Sequence, residues 1–267
     1  MRKIDSDEMK SIMLDILKDI HNFCENNGIR YSLAYGTLIG AVRHKGFIPW
    51  DDDIDLYMPR EDYEKFMSLY PGTSPVYNAV EHRFCKEYAL PYGKVEDVRT
   101  LFVEESSSLN TGIFIDIFPV DRGFHTQEET QRYFRKNITP LIYLMCIKNF
   151  SAKTLKSPVK RLAMRIAKVL LAPFSKSFFC SKVMKMSLSG LSDATYTWLA
   201  HITPNPTEFL PMSLYEERIL MQFEDSLFYV PKDYDTILRA IYGDYMQFPP
   251  EDQRCSPHTV NGIFWKD

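Results

Sequence analysis

Residues 36–55 read GTLIGAVRHKGFIPWDDDID, and the order of residue types in this stretch decides the fold. Just before it, residues 29–35 (IRYSLAY) form a β-prone run that stops at Gly36-Thr37. Leu38, Ile39, Ala41 and Val42 then start a helical pattern, so the segment predicts a strand, a glycine turn and a helix. Gly46-Phe47-Ile48-Pro49-Trp50 breaks that helix. Residues 51–58 (DDDIDLYM) alternate again and predict a second strand, followed by helical periodicity over 60–70.

Working outward, Leu14, Ile16, Leu17, Ile20 and Phe23 repeat near helical spacing. They follow Ser6 as N-cap with Asp7 and Glu8 in the first turn, and Asn26-Asn27-Gly28 is the stop. Residues 114–120 (FIDIFPV) read as another short strand, ended by Pro119 and Asp121, and residues 94–103 supply one more. Ser157 and Pro158 mark the start of an amphipathic helix. Leu162, Ala163, Ile166, Val169 and Leu170 make one face of it, and Arg161, Arg165 and Lys168 another. Beyond residue 193, Pro204, Pro206, Pro211, Pro231, Pro249 and Pro250 cut the chain into short elements.

With 267 residues, 45% hydrophobic and 25% charged, the composition is that of a soluble globular protein and excludes disordered, collagen-like and coiled-coil classes. Cys24, Cys85, Cys146, Cys180 and Cys255 are widely spaced and odd in number, which fits a reducing compartment. Residues 1–10 are charged and lack the features of a secretory signal. The longest apolar run, residues 141–147, is far below the roughly 20 residues that cross a bilayer. A cytoplasmic protein is expected. The net charge of −3 hides an asymmetry: residues 131–192 hold 13 Lys plus Arg and no Asp or Glu, leaving 19 basic and 35 acidic residues elsewhere. Such a block faces something anionic, a phosphate-rich substrate or lipid headgroups, or else covers the acidic remainder of the chain. The chain has no nucleic-acid-binding motif and no regular aromatic interleaving in the block, which argues against nucleic acid as partner. Zinc spacing is absent as well.

Asp51, Asp52, Asp53 and Asp55 place four carboxylates within five residues. Their mutual repulsion is costly unless a cation neutralises it. On a strand, Asp51, Asp53 and Asp55 share one face and Asp52 the other. Such a set of hard oxygen ligands suits Mg²⁺ or Mn²⁺ and leaves positions for phosphate oxygens. Asp116 lies between Ile115 and Ile117 and needs a partner, which pairing of the two strands supplies beside Asp53 and Asp55. For Asp51 and Asp52 a solvated acidic turn is an equal reading. At the Gly36-Thr37 turn, backbone amides and a hydroxyl can meet an anion at a helix N-terminus. Arg43, His44, Lys45 and Lys94 are candidate phosphate clamps, with a solvated helix face as the alternative for each.

The run from Gly36 to Asp55 resembles the signature of the LicD family, phosphocholine transferases related to fukutin and fukutin-related protein. The likeness continues through Arg60-Glu61-Asp62-Tyr63, residues 112–121 (GIFIDIFPVD), 230–234 (VPKDY), 242–246 (YGDYM) and Pro249-Pro250; it is least apparent over 131–192. The resemblance implies an α+β fold with a nucleotidyltransferase-like mixed sheet flanked by helices. With the charge block, the chain is expected to divide into a catalytic core over 1–130, a basic helical region over 131–192 and a segment over 193–267 that completes the domain. The resemblance also implies Asp53 and Asp55 as the metal-binding pair and Asp116 as third carboxylate, with Gly36-Thr37 holding nucleotide phosphates; Asp51, on the same strand face, is a candidate accessory ligand.

The implied activity moves phosphocholine, or a related alditol phosphate, from a CDP-linked donor such as CDP-choline to a hydroxyl of a cell-surface glycan or lipid-linked glycan precursor. Asp116 would either complete the metal site or, if not coordinated, accept the hydroxyl proton. A quaternary ammonium would need an aromatic wall, for which Tyr35, Phe47, Trp50, Tyr92 and Trp265 are available. The basic helix is a candidate for peripheral contact with an anionic membrane at its inner face. Transfer of a nucleotide to a small molecule or protein is the rival enzymatic reading, and a noncatalytic anion-binding protein is the rival from another class.

Overall fold

The computed structural model of the protein describes residues 1–88, 90–104, 110–149, 155, 157–199, 208–254 and 260–267. Pro204, Pro206 and Cys255 lie outside them. Helix α1 (Ser6–Asn27) is capped by Asp5, one residue before the expected Ser6; its side chain accepts from Glu8 N at 2.9 Å. Gly28 at φ 59° ends the helix, a left-handed position that glycine adopts freely. Met9, Ile12, Met13, Ile16, Leu17, Ile20 and Cys24 make its buried side.

The chain continues through β1 (Ser32–Leu33), α2 (Tyr35–His44), β2 (Asp55–Pro59), α3 (Arg60–Leu69), β3 (Tyr77–Val80), β4 (Gly93–Glu104) and β5 (Thr111–Arg122). Next come α4 (Gln127–Tyr133), α5 (Thr139–Asn149), α6 (Pro158–Leu170) and α7 (Lys176–Ser187). The remainder is β6 (Thr197–Leu199), the hairpin β7 (Arg218–Phe223) and β8 (Ser226–Pro231), α8 (Tyr234–Tyr242) and β9 (Val260–Trp265). The main sheet runs β1-β2-β5-β4-β3, with β6 beside β5 and β9 beside β4. Among the described residues only β2 and β5 pair in parallel; the other pairs are antiparallel. The α+β mixed sheet expected from the resemblance is therefore present.

Three elements depart from the sequence expectation, each for a local reason. The strand expected over 29–35 keeps two residues, because the chain already turns into α2 at Tyr35. That leaves residues 51–54 without a neighbour on this edge, so the strand expected over 51–58 starts only at Asp55. Conversely, β5 runs through Pro119 and Asp121, which were expected to stop it. Asp116 N donates to Ile54 O on the β2 side, so position 119 turns its missing N–H to the opposite side. There β4 has ended at Gly93, paired with Ile117, and the pairing with β6 begins at Val120, so among the described residues no ladder bond is lost. Asp121 stays buried because Arg60, the first residue of α3, grips it with two bonds of 2.6 and 2.8 Å.

Alternation divides the sheet into two faces. Leu56, Met58, Val95, Ile115 and Ile117 join the main core with Ile16, Leu17 and Ile20 of α1 and Tyr63, Phe66 and Met67 of α3. Tyr57, Phe118 and Val120 point the other way, into a smaller cluster with Ala34, Tyr35, Tyr92 and Leu199. Ile142 and Met145 of α5 and Phe179, Cys180 and Val183 of α7 belong to the main core, so the basic region shares its core with the sheet.

Removing one partner of a buried ion pair leaves the other charge without compensation. Arg60→Ala is therefore expected to cost about 3–5 kcal/mol in urea unfolding, whereas Arg60→Met combined with Asp121→Leu is expected to recover most of that loss.

Candidate active site

The register of three adjacent strands aligns the charged groups. Asp55 pairs with Asp116 across the parallel β2/β5 junction, and Asp116 pairs with Lys94 across β5/β4. Residues in register on neighbouring strands share a face, with the strands about 4.8 Å apart. Lys94 Nζ lies 2.5 Å from Asp116 Oδ1 and 3.3 Å from the centre of the Phe114 ring. Both Lys94 and Asp116 are buried. Lys94, expected as a phosphate clamp, is thus the countercharge of Asp116.

Asp51, Asp52 and Asp53 each offer a carboxylate oxygen to a cluster whose atoms lie within 4.8 Å of one another. Asp52 was expected to face away from its neighbours. Because residues 51–54 are not strand, alternation does not apply and its carboxylate joins the group. Burial first, then the charges of Asp53, Asp116 and Asp51, push the Asp55 carboxyl well above its ordinary range, with Lys94 opposing them. Burial and the Asp52 charge raise Asp51 as well. Mutually repelling hard oxygens in partial burial fit a divalent cation, which would relieve the repulsion.

Helix α2 opens beside these carboxylates. Gly36 and Thr37 sit inside its first turn instead of ahead of it, since the N-cap is Ala34, which makes no side-chain cap bond. Tyr35 takes φ 43°, a costly value for a residue with a Cβ. Its ring packs on Tyr57 at 5.0 Å and Phe118 at 5.3 Å. A Cβ at position 36 would lie 2.5 Å from Asp51 Oδ2, so only glycine allows this carboxylate its place. The Thr37 hydroxyl oxygen accepts from Asp55 N at 2.9 Å. Expected as a phosphate donor, it is seen to fix the backbone that carries Asp55. The first amides of α2 have no partner within the helix, and Asp51 Oδ2 lies against Gly36 in that turn.

An open cleft of about 520 Å³ lies against this corner, lined by Gly36, Arg43, Trp50, Asp51, Tyr242 and Phe248 among others. Arg43 does not project freely into it. Its guanidinium donates to Tyr245 O at 2.6 Å and covers the Phe248 ring at 4.7 Å, tying the 242–250 segment to α2. Arg254 covers Trp50 and Phe248 at 5.5 and 5.6 Å. Lys45 is exposed and ends α2 in a left-handed cap, about 13 Å along the helix from Gly36, so it is not gathered with the others. Among the aromatic residues considered, Tyr35 and Tyr92 pack on the face that carries the carboxylates and Trp50 lines the cleft. Phe47 packs on Phe223, and Trp265 donates to Glu8 near the chain start.

Glu208 escaped sequence reasoning, since a single acid ahead of Phe209-Leu210 carries no pattern. It is buried, with the Tyr35 hydroxyl donating to it at 3.4 Å. Burial pushes its carboxyl up to about 7, against the small opposing effect of that bond. Between about pH 4.5 and 7 the folded protein holds a proton that the unfolded chain has released, so this group's stabilisation is present at low pH and is lost as pH rises through that window. Glu208→Gln is expected to remove a pH-dependent loss on the order of 3 kcal/mol, read as a flatter stability curve between pH 5 and 7 in urea titrations.

The chain is similar to several known proteins. Residues 28–159 match the LicD/FKTN/FKRP nucleotidyltransferase domain. Over 272 aligned positions the chain is 30% identical to the lipopolysaccharide cholinephosphotransferase LicD of Haemophilus influenzae, with 99% of both chains covered. It is 53% identical over 38 residues to human ribitol 5-phosphate transferase FKRP, covering 14% of this chain and 8% of that one. An uncharacterized Rickettsia typhi protein is 32% identical over 115 residues, 43% of this chain and 36% of that one. With a relative aligned from end to end and the domain match lying over the carboxylate-bearing strands, the chain belongs to the LicD family.

Proposed function

We propose that this protein is a divalent-metal-dependent transferase that moves phosphocholine, or a related alditol phosphate, from a CDP-linked donor to a hydroxyl of a cell-surface glycan precursor. The observation that carries the reading is the alignment of Asp55, Asp116 and Lys94 across three strands, beside the Asp51–Asp53 carboxylates and the first turn of α2. The relatives named for cholinephosphate and ribitol phosphate transfer support a phosphoalcohol as cargo. Cytoplasmic work is proposed with it, since nucleotide-activated donors are soluble; among the described residues no helix is long and apolar enough to cross a membrane.

Transfer of a phosphoryl-type group needs positioning and charge neutralisation more than covalent chemistry. Asp53, Asp55 and Asp116, with Asp51 as accessory ligand, would hold Mg²⁺ or Mn²⁺. When bound, that ion supplies charge neutralisation for the pyrophosphate and the departing CMP. The chain's own groups do the rest. Thr37 holds Asp55 by its amide, Lys94 keeps Asp116 compensated, and the open amides of α2 meet phosphate oxygens. In the cleft, the faces of Trp50 and Phe248 already carry arginine cations. That environment suits the anionic, stacking nucleotide end of the donor better than a quaternary ammonium.

The deciding experiment incubates the protein with CDP-choline, CDP-ribitol, CDP-glycerol or nucleoside triphosphates, each with Mg²⁺ or Mn²⁺, and identifies the released nucleotide. Release of CMP from one CDP-alcohol is expected; pyrophosphate from a triphosphate would favour nucleotide transfer instead. Asp55→Asn is expected to lower metal-dependent turnover by at least about a hundredfold while raising the metal-free thermal midpoint by roughly 2–4 °C, because it removes a repelling charge. Unchanged turnover in that variant would remove Asp55 from the site.

A further inference from the structure

Helix α6 is packed inside out. At about 100° per residue, Val159, Leu162, Ala163, Ile166, Val169 and Leu170 share one side, and Arg161, Met164 and Lys168 the opposite one. The half-buried positions are Arg161, Met164, Ala167 and Lys168, so the helix lays its basic side on the protein. No residue of α6 is buried. Val159, Leu162, Ile166, Val169 and Leu170 are 53–75% exposed, and Phe174 in the turn that follows is also exposed. A surface helix ordinarily turns its apolar stripe to the core. A contiguous stripe turned to water marks a surface that meets something else.

We propose that the apolar side of α6 docks the protein on an anionic lipid bilayer. Its occupant must be apolar in depth and negative at the rim. Lys160 and Arg165 are exposed and flank the stripe, in position to reach headgroups while the aliphatic side chains enter the acyl boundary. Residues 131–192 contain no acidic residue, which matches the negative potential of such a surface. A second copy of the chain fits less well, because it would bring two acid-free helices, each with four cations, face to face. At 13 residues the helix is too short to span, so it lies in the interface plane. The proposal is independent of the group transferred at the carboxylate site.

The test sediments the full chain with vesicles of phosphatidylglycerol and phosphatidylcholine, and with phosphatidylcholine alone. Binding at least about tenfold stronger to the anionic vesicles is expected, weakened by about 1 M NaCl. The double substitution Leu162→Glu, Ile166→Glu is expected to lose that preference while keeping the wild-type thermal midpoint, since both side chains are exposed. Equal binding to the two vesicles, or none to either, overturns the proposal. So does a wild-type dimer in light scattering that the double variant converts to a monomer, which would assign the stripe to self-association.

Discussion

The structure depends on holding like charges together. Asp55 and Asp116 meet in register where β2 and β5 run parallel, and Asp51, Asp52 and Asp53 crowd the entrance to the same strand. Such an arrangement opposes folding by its own repulsion and by the loss of water around each carboxylate. Lys94 on the adjacent strand supplies the countercharge, and Thr37, by accepting from the Asp55 amide, fixes the backbone that carries the carboxylate. The opposite sheet face, packed with Leu56, Met58, Ile115 and Ile117 against α1 and α3, supplies the apolar burial that keeps these strands in place. Beyond the carboxylates, the Arg60–Asp121 pair locks the start of α3 to the end of β5.

Cations near the site fall into two groups. Lys94 is buried against Asp116 and acts on the carboxylates directly. Arg43 and Arg254 act on aromatic rings and on the backbone of the C-terminal segment, so they shape the cleft through the segment they hold. Residues 242–253 therefore form a wall of the same site. Its aromatic residues are held at the carboxylate corner by Arg43, which reaches Tyr245 and Phe248, and by the contacts of Phe248 with His44 and Trp50.

The basic region combines two kinds of surface. α5 and α7 bury Ile142, Met145, Phe179 and Val183 in the main core, as amphipathic helices of a globular protein do. α6, between them in the chain, has its polarity reversed. Mere covering of the acidic remainder of the chain would explain the charge of this region, but not an aliphatic stripe left in water.

Sequence periodicity was enough to locate α1, α3, β4 and the Ser157-capped helix, because each follows from local spacing, with a side-chain cap added at the starts of α1 and α6. The acidic run and the Gly36-Thr37 pair were also legible, since four carboxylates in five residues are unusual wherever they fall. Tertiary structure alone decided how these parts act. Asp52 joined its neighbours and Gly36-Thr37 entered the helix because the edge strand β1 stops after two residues, a matter of sheet pairing. Lys94 became the partner of Asp116, Lys45 was carried away to the far end of α2, and Glu208 came to lie beside Tyr35 through contacts between residues distant in the chain. The direction in which α6 turns its two faces is of the same kind: spacing creates the faces, and only packing chooses which of them meets water.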